Sequence, residues 1–395
     1  MTSYIQSGKL QQCYGCRACE QVCAKGAISM QPNEEGFLYP VINQDQCINC
    51  GLCVKICPYD TAAPMHKPLK AYAMQYKNEE RLMNSSSGAA FPALADYILA
   101  HGGYVAGCIF NEKIEAVHVL TNKIDVVKKM SGSKYVQSDL GNIYPEIKKV
   151  LLSDKFVLFS GTPCQVAGLL NYLRKPHEKL ITVDLICHGV PSPSLLQDYI
   201  HSTYKGKLVD LKFRNKKMNG WCSQGSAVVC MSNGKTMIKK TSPYIDSYYY
   251  YYLQNNVSRM CCYECSFSTK DRVSDITIGD YWNVKEVFPS IEEKNGVSAI
   301  LINTEKGERI YRAIKDSLIS YESKIEDVVA RNGNLQSPCE KPEQRSYIYK
   351  KIKEKGYSVA AKEECNYQYV IPFMKSLIPS SLKQAIKKIL SIIKR

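Results

Sequence analysis

The apolar residues of the chain follow two alternating patterns from residue 70 onward. Continuous apolar runs at 155–160 and 179–187 are typical of strands buried in a parallel sheet. Residues 142–153 and 165–174 instead place apolar side chains three and four positions apart, which predicts amphipathic helices. Because strands and helices alternate, we expect a parallel or mixed α/β sheet.

Further elements extend this sheet. The same patterns predict strands at 71–76, 104–110, 115–120, 275–282 and 297–303, and helices within 85–103 and near 305–316. Residues 208–241 contain two strand-like runs on either side of Asn233-Gly234, a dipeptide typical of β-hairpin turns. We therefore expect an antiparallel segment in this stretch. Beyond residue 320 the pattern is less regular.

The first 62 residues differ from the rest, because they contain few large apolar side chains. The stretch DTAAPMHKPLK at 60–70 has two prolines, which is typical of a linker. We therefore expect a small N-terminal α+β domain followed by a larger α/β domain with a mixed sheet. The small domain has too few apolar side chains for a core of its own, so bound groups must supply much of it.

The N-terminal cysteines form two runs of identical spacing, and disulfides, zinc and iron–sulfur clusters are the alternatives. The runs are Cys13-x2-Cys16-x2-Cys19-x3-Cys23 and Cys47-x2-Cys50-x2-Cys53-x3-Cys57. Structural zinc usually takes two well-separated ligand pairs. Three thiols at two-residue gaps instead suit three irons of a [4Fe–4S] cluster, whose fourth ligand comes from the other run. We therefore assign Cys13, Cys16, Cys19 and Cys57 to one cluster, and Cys47, Cys50, Cys53 and Cys23 to the other.

The rest of the sequence favours a reducing compartment. The first residues, MTSYIQSGKL, lack the apolar core of a signal peptide. No stretch approaches the roughly 20 apolar residues of a membrane span. We therefore expect a cytoplasmic protein, in which disulfides are disfavoured and thiols stay available to iron.

The net charge of +15 indicates either an acidic partner or a solvated basic surface. The basic stretches at 350–355 and in the C-terminal tail are not interleaved with aromatic residues, which argues against nucleic acid. The tail 380–395 predicts a basic amphipathic helix. Its apolar face consists of Leu382, Ala385, Ile386, Ile389, Leu390 and Ile393. Such a helix can contact an anionic membrane surface, cap the fold or pack on a partner.

Two loops follow neighbouring predicted strands. FSGTPCQVAG at 159–168 ends one strand and opens a helix, where Gly161 permits close approach and the helix start offers N–H groups to a ligand. An ordinary strand–helix turn is the alternative. CHGVPSP at 187–193 ends the next strand, so we expect Cys164, Cys187 and His188 around one crevice. Cys187 and His188 are candidate catalytic residues, or else local hydrogen-bonding groups.

A third segment, RMCCYECSFSTKDRVSDITIGDYW at 259–282, contains the pair Cys262-x2-Cys265 with the spacing of metal ligands. Together with Cys164 and Cys187, this pair predicts a further [4Fe–4S] cluster, or the four are spare thiols. Cys261 is expected to be a bystander.

These segments, with SSSGAAFPAL and SGSKYVQS, resemble the coenzyme F420 hydrogenase/dehydrogenase beta subunit family over roughly residues 70–300. Members of that family are iron–sulfur flavoproteins that bind FAD. The resemblance implies four regions. They are a 2[4Fe–4S] ferredoxin-type domain at 1–62, an N-terminal-like region at 70–150, a C-terminal-like region at 151–320 and a basic extension at 321–395.

The resemblance also implies the flavin-binding residues. They are Ser86, Ser87, Gly88, Lys134, Tyr135, Gly161, Thr162, Pro163, Cys164 and Gln165. Ala89 replaces a usual glycine, which makes the first of these loops less open. Asp280 and Trp282 match the motif of the family without an assigned role.

A cluster transfers single electrons, whereas a flavin accepts single electrons and delivers a pair. We therefore expect an oxidoreductase linking an acidic carrier such as ferredoxin, the clusters, FAD and an organic substrate or deazaflavin. The resemblance adds surface-polysaccharide synthesis as a context. A non-catalytic electron-transfer subunit is the main alternative, and a scaffold with vestigial clusters is a weaker one.

Overall fold

The computed structural model describes residues 3–221 and 223–364, and among these eight strands form one mixed sheet. The strands are β1 (Ile28–Pro32), β2 (Leu38–Ile42), β3 (Lys70–Tyr76), β4 (Tyr104–Phe110), β5 (Ala116–Thr121), β6 (Val157–Gly161), β7 (Leu180–Leu185), β8 (Lys207–Lys212), β9 (Gly225–Cys230), β10 (Thr236–Thr241), β11 (Ile276–Asp280), β12 (Ser298–Ile302) and β13 (Leu318–Ser323). The sheet order is β13-β3-β12-β11-β7-β6-β4-β5.

The four central strands β11, β7, β6 and β4 are parallel, and the strands at both flanks are antiparallel. Their carboxyl ends therefore meet at one edge of the sheet, which is where open α/β sheets bind ligands. Strand β3, from residues 70–150, pairs with β12 and β13, so the regions 70–150 and 151–320 build one sheet. The predicted division between these two regions stays a prediction.

Helices surround the sheet. They are α1 (Tyr4–Ser7), α2 (Ala18–Gln21), α3 (Leu52–Lys55), α4 (Glu79–Met83), α5 (Ala90–Ala100), α6 (Ile124–Met130), α7 (Ile143–Leu152), α8 (Pro163–Leu173), α9 (Pro193–Thr203), α10 (Lys216–Asn219), α11 (Ser247–Leu253), α12 (Glu305–Ile314), α13 (Ile325–Ala330) and α14 (Gln344–Lys355). Short 3-10 helices span Leu10–Gln12, Met260–Glu264, Val284–Glu286, Lys315–Ser317 and Gly333–Leu335.

Alternate residues of the central strands point to opposite faces, as the pleat requires. Leu158 of β6 packs in one core with Leu94 of α5 and Ile310 of α12. Its neighbour Phe159 packs in a second core with α7 and α8. The continuous apolar run of β6 is therefore explained by burial on both faces.

The N-terminal part is a small unit in which β1 and β2 form an antiparallel pair. It is packed against the main sheet domain at several points. Arg345 of α14 makes a bidentate ion pair with Glu35 at 2.7 and 2.6 Å. The predicted linker is held by backbone hydrogen bonds exchanged between His66 and Arg272, at 2.7 and 2.8 Å.

Most predicted elements are confirmed. The predicted strands match β3 to β7, β11 and β12, and β9 and β10 form the predicted hairpin around Asn233-Gly234. Helix α8 begins at Pro163, two residues before the predicted start, because proline is pre-set for the first helical position and Thr162 caps the helix.

The structure adds elements that the irregular pattern beyond residue 320 did not predict, namely α13 and α14. The predicted amphipathic helix at 380–395, with its membrane contact, lies outside the described residues. Within the described part, no helix combines the length and apolar character needed to cross a bilayer.

Candidate functional site

A small cavity of about 20 Å³ lies inside the N-terminal unit, and the four thiols assigned to the first cluster all line it. They are Cys13, Cys16, Cys19 and Cys57. The fourth comes from the other run, as the interlocked spacing predicted. This arrangement agrees with a ligand set shared between two loops.

The electrostatics of these thiols fit a cationic inorganic group. Burial raises the pKa of Cys16 well above its usual range, and the neighbouring charges of Cys57, Cys19 and Cys13 raise it further. The pKa of Cys57 rises to about 11 for the same two reasons. Four thiols around one cavity suit a cluster, which takes one thiolate on each iron.

The second set is more open to solvent. Cys50 is exposed, and Cys23, Cys47 and Cys53 are partly buried. Burial raises the pKa of Cys53, and the charges of Cys50 and Cys47 contribute to this shift. Cys47, Cys50 and Cys53 are therefore electrostatic neighbours, as a shared cluster requires.

A larger cavity of about 360 Å³ opens at the carboxyl ends of the parallel strands. The loops that follow β6 and β7 both line it, because these strands are adjacent and parallel. The predicted residues that line it are Ser86, Ser87, Lys134, Tyr135, Gly161, Thr162, Pro163, Cys164, Gln165, Cys187 and His188. Gly88 lies beside the cavity instead, against the backbone of β3 and β12, where a Cβ would approach Met74 O to 2.1 Å. Its flavin contact stays a prediction, and the position shows that it needs glycine for packing.

The start of α8 offers fewer free donors than its sequence predicted. The Gln165 side chain accepts from the Thr162 N–H at 2.9 Å, and the Gln165 N–H bonds back to Thr162. Pro163 has no N–H. The capping box therefore uses most donors of this turn within the turn itself.

Lys134 lies between the cavity and the end of α6. Its ammonium donates to four backbone carbonyls, those of Lys129, Met130, Ser131 and Gly132, at 3.0 to 3.2 Å. Burial lowers its pKa. On the same wall, Ser86 accepts hydrogen bonds from the Ser133 amide at 2.8 Å and from its hydroxyl at 3.0 Å. The SSSG and GSKY segments therefore form one joined wall.

Five cysteines gather at another end of this cavity: Cys164, Cys187, Cys261, Cys262 and Cys265. Burial and the charges of Cys262 and Cys164 raise the pKa of Cys187 well above its usual range. A hydrogen bond from Cys261 lowers the pKa of Cys262. The assignment of Cys262 as a ligand and Cys261 as a bystander stays a prediction.

The candidate catalytic residues are close together but not activated. The raised pKa of Cys187 opposes its use as a thiolate nucleophile. Burial lowers the pKa of His188, which favours its neutral form. Their catalytic role stays a prediction.

The mouth of the cavity contains residues to which the sequence analysis assigned no role. Asp280 accepts hydrogen bonds from Arg214 at 2.6 Å and from the Trp221 indole at 3.0 Å. Trp282 stacks on Trp221 with ring centroids 5.3 Å apart, and is 38% exposed. His118, on the wall, also has no sequence signal, and burial lowers its pKa to about 4.

Tyr14 connects the two cavities, because its side chain or backbone lines both. Its ring packs on Phe267 at 5.3 Å, and its hydroxyl lies 2.8 Å from Ser266 Oγ. Helix α8 forms a second link, since a Cβ on Gly168 would approach Cys16 Sγ to 3.0 Å. The N-terminal cysteines and the large cavity are therefore separated by little more than one aromatic side chain.

Two family models match this chain. Residues 12–61 match the 4Fe–4S dicluster domain, and residues 154–328 match the C terminus of the coenzyme F420 hydrogenase/dehydrogenase beta subunit. The chain therefore combines a 4Fe–4S dicluster domain with a domain that matches the C terminus of this type of beta subunit. The iron–sulfur assignment of the N-terminal unit, and its relation to oxidoreductase subunits that transfer electrons, are thereby confirmed.

Among solved structures, the chain is similar to one from the F420-reducing [NiFe] hydrogenase complex of Methanosarcina barkeri. The identity is 16% and the TM-score 0.43, over 77% of this chain and 93% of that chain. No protein in the curated collection of sequences matches.

Proposed function

We propose that this protein is an iron–sulfur flavoprotein oxidoreductase. Electrons would pass between an acidic, ferredoxin-type carrier, two [4Fe–4S] clusters, FAD and an organic substrate or deazaflavin. The observation that carries the proposal is the shared wall at Tyr14, between the cysteine-lined cavity and the larger one. A cavity of about 360 Å³ within reach of a cluster is suited to a redox cofactor and its substrate.

Bound FAD would supply the exchange between single electrons and electron pairs. The chain contributes an apolar, enclosed surround and a few polar groups at the loops SSSG, GSKY and GTPCQ. The left-handed conformation of Ala89, with φ 66°, supports the expectation that this position suits glycine in the family. Lys216, whose pKa burial lowers to about 7, donates to Ser87 O and stabilises the first loop from behind.

Cys164, Cys187, Cys262 and Cys265 are proposed to hold a third [4Fe–4S] cluster. Their mutual pKa effects support this assignment, since each of them is an electrostatic neighbour of at least one of the others. In that case Cys187 is a ligand and not a nucleophile, and His188 remains the candidate for proton transfer.

The exposed cluster is proposed as the entry point for electrons. Cys50 is open to solvent, and the exposed residues Lys25 and Lys55 each lie two residues from a ligand of this cluster, Cys23 and Cys53. Residues 1–62 as a whole carry four Lys and Arg against five Asp and Glu, so the proposed contact depends on these two lysines and not on the net charge of the unit. Basic side chains beside the exposed cluster would accelerate association with an acidic carrier.

A non-catalytic electron-transfer subunit is the second candidate. The eight intact cysteines of the two N-terminal runs favour it over a scaffold with vestigial clusters. The proposed substrate is an organic molecule, in the context of surface-polysaccharide synthesis, or a deazaflavin.

Iron and flavin analysis of anaerobically purified protein tests the proposal. We expect about eight irons per chain for two clusters, or about twelve with the third. We also expect bound flavin that reduced ferredoxin can reduce. Clusters without flavin would favour the electron-transfer subunit, and no iron after reconstitution would contradict both candidates.

Two adjacent variants test the third cluster. Cys262→Ser should remove about four irons per chain, because it removes a ligand. Cys261→Ser should retain them, because Cys261 is the expected bystander. Equal iron content in both variants would contradict the third cluster while leaving the first two assignments intact.

A further inference from the structure

Arg259 is the most buried arginine of the described residues, with 0% of its surface exposed. It precedes the cysteine pair of the large cavity but extends into the N-terminal unit. Its Nη2 donates to Cys13 Sγ at 3.3 Å and to Leu38 O at 3.0 Å, and its Nε donates to Cys13 O at 2.8 Å. The guanidinium thus contacts a cluster ligand directly.

The other buried arginines have carboxylate partners. They are Arg81 with Asp96, Arg214 with Asp280, Arg272 with Asp184 and Arg345 with Glu35. Within the described ranges, no carboxylate forms an ion pair with Arg259. A buried charge without a counter-charge is strongly unfavourable. Arg259 contacts the sulfur of Cys13. The thiolates of this ligand set, together with the cluster that they hold, therefore provide its negative counter-charge.

The surroundings hold this guanidinium in place. It lies over the ring of Tyr39, with Cζ 4.0 Å from the ring centroid, and its Nη1 donates to Gln137 Oε1 at 3.0 Å. Gln137 in turn donates to Tyr14 O at 3.0 Å. A Cβ on Gly15 would approach Arg259 Cζ to 3.1 Å, so the glycine leaves room for the arginine.

We propose that Arg259 raises the reduction potential of the cluster held by Cys13, Cys16, Cys19 and Cys57 above that of the other cluster. Reduction adds one negative charge to a cluster. A fixed positive charge and an N–H···S hydrogen bond both stabilise the reduced form more than the oxidised form. Electrons entering at the exposed cluster would therefore reside on the buried one, beside Tyr14.

This inference rests on the dicluster domain and not on the flavin. It can therefore fail while the proposed function holds, and the proposed function can fail while this inference holds. EPR-monitored potentiometric titration of anaerobic full-length protein provides the test. In Arg259→Met, the equilibrium constant for the electron between the two clusters should shift at least tenfold toward the exposed cluster. That corresponds to a fall of at least about 59 mV for the buried cluster.

Two further variants separate tuning from general damage. Arg259→Lys keeps the charge and loses the multiple hydrogen bonds, so we expect a smaller fall in the same direction. Arg81→Met removes an equally embedded arginine whose partners lie on α4 and α5, and should leave both potentials unchanged. An unchanged potential in folded Arg259→Met, or an equal fall in Arg81→Met, would overturn the proposal.

The unmodified protein gives an independent measurement if Arg259→Met fails to retain iron. Arginine labelled with ¹⁵N only in the guanidinium should produce a weak nitrogen coupling to the first cluster reduced, measured by pulsed EPR, and the coupling should persist in Arg17→Lys, which removes the arginine that lines this cavity. A coupling on the second cluster reduced, or none on either, would overturn the proposal.

Discussion

The two cysteine runs have the same spacing and different surroundings. The loop around Cys13, Cys16 and Cys19 is packed against α7, α8 and Arg259, and none of the residues from 12 to 22 is exposed. In the second run, Cys50 is exposed and Ile48 is 63% exposed. The spacing therefore determines which metal group is bound, whereas distant parts of the chain determine the environment of each group.

Removing one cysteine ligand from each run should show the difference between the two surroundings most clearly. Cys16→Ala should lose about four irons per chain and also destabilise the main domain, because Cys16 is buried against α8. Cys50→Ala should lose the iron of the exposed cluster and leave the unfolding midpoint of the main domain almost unchanged. Iron analysis and anaerobic denaturation would measure both. Equal destabilisation would contradict the difference in surroundings.

Each run contains one glycine, at a different position: Gly15 precedes the second cysteine of its run and Gly51 follows the second cysteine of its own. Gly15 and Gly51 both have left-handed backbones, with φ 67° and 69°. A Cβ on Gly15 would lie 2.4 Å from Gln137 Nε2, whereas Gly51 has no neighbour within 4 Å. We expect Gly51→Ala to cost about 1 kcal/mol from backbone strain alone, and Gly15→Ala to cost about 2–3 kcal/mol once overpacking is added.

Denaturant unfolding followed by the visible absorption of the clusters would measure these two free energies. If the cost at Gly51 equals or exceeds that at Gly15, the packing around the first run is not what distinguishes the two loops.

Charge reversal beside the exposed cluster tests whether an acidic carrier docks there. The double variant Lys25→Glu with Lys55→Glu should reduce the association rate with an acidic ferredoxin about tenfold at low salt. High salt should remove the difference, because surface charges are screened. Lys113→Glu, an exposed lysine in the turn between β4 and β5, is the control. Stopped-flow reduction would measure the association rates. Equal rates for the double variant and for Lys113→Glu would exclude the exposed cluster as the entry point.

A further effect concerns pH and should arise from neither run. Burial lowers the pKa of His118 to about 4, so the folded protein binds fewer protons than the unfolded chain between about pH 4 and 6.5. Stability should therefore fall by up to about 1.4 kcal/mol per pH unit as pH decreases through this range. His118→Gln should reduce that slope in urea titrations. If the slope of stability against pH is the same in His118→Gln, groups other than His118 cause the pH dependence.

Local sequence patterns were sufficient for most elements before residue 320 and for the iron–sulfur character of the N-terminal unit. The run at 155–160 is apolar because it is buried on both faces, and Cys57 completes the first ligand set because the cysteine spacing itself implies an exchange. Both signals are contained within a short stretch of chain.

The residues that sequence reasoning missed depend on contacts between distant segments. Arg259 reaches Cys13 across 246 positions, and the stacking of Trp282 on Trp221 depends on how β11 and the antiparallel insertion meet. In the sequence, the family motif that contains Asp280 and Trp282 was the signal that could have predicted the mouth of the cavity. For Arg259, only its position two residues before the Cys261–Cys262 pair could have drawn attention to it.

Strand β3 lies between β12 and β13, although it is synthesised more than 200 residues before them. On the ribosome, the two cysteine runs emerge first, while both sheet partners of the following strand are still to be made. The N-terminal thiols therefore meet Arg259 only late in translation. Iron delivered earlier must be held by the cysteine loops without that buried guanidinium, and its redox properties become final when the chain closes over it.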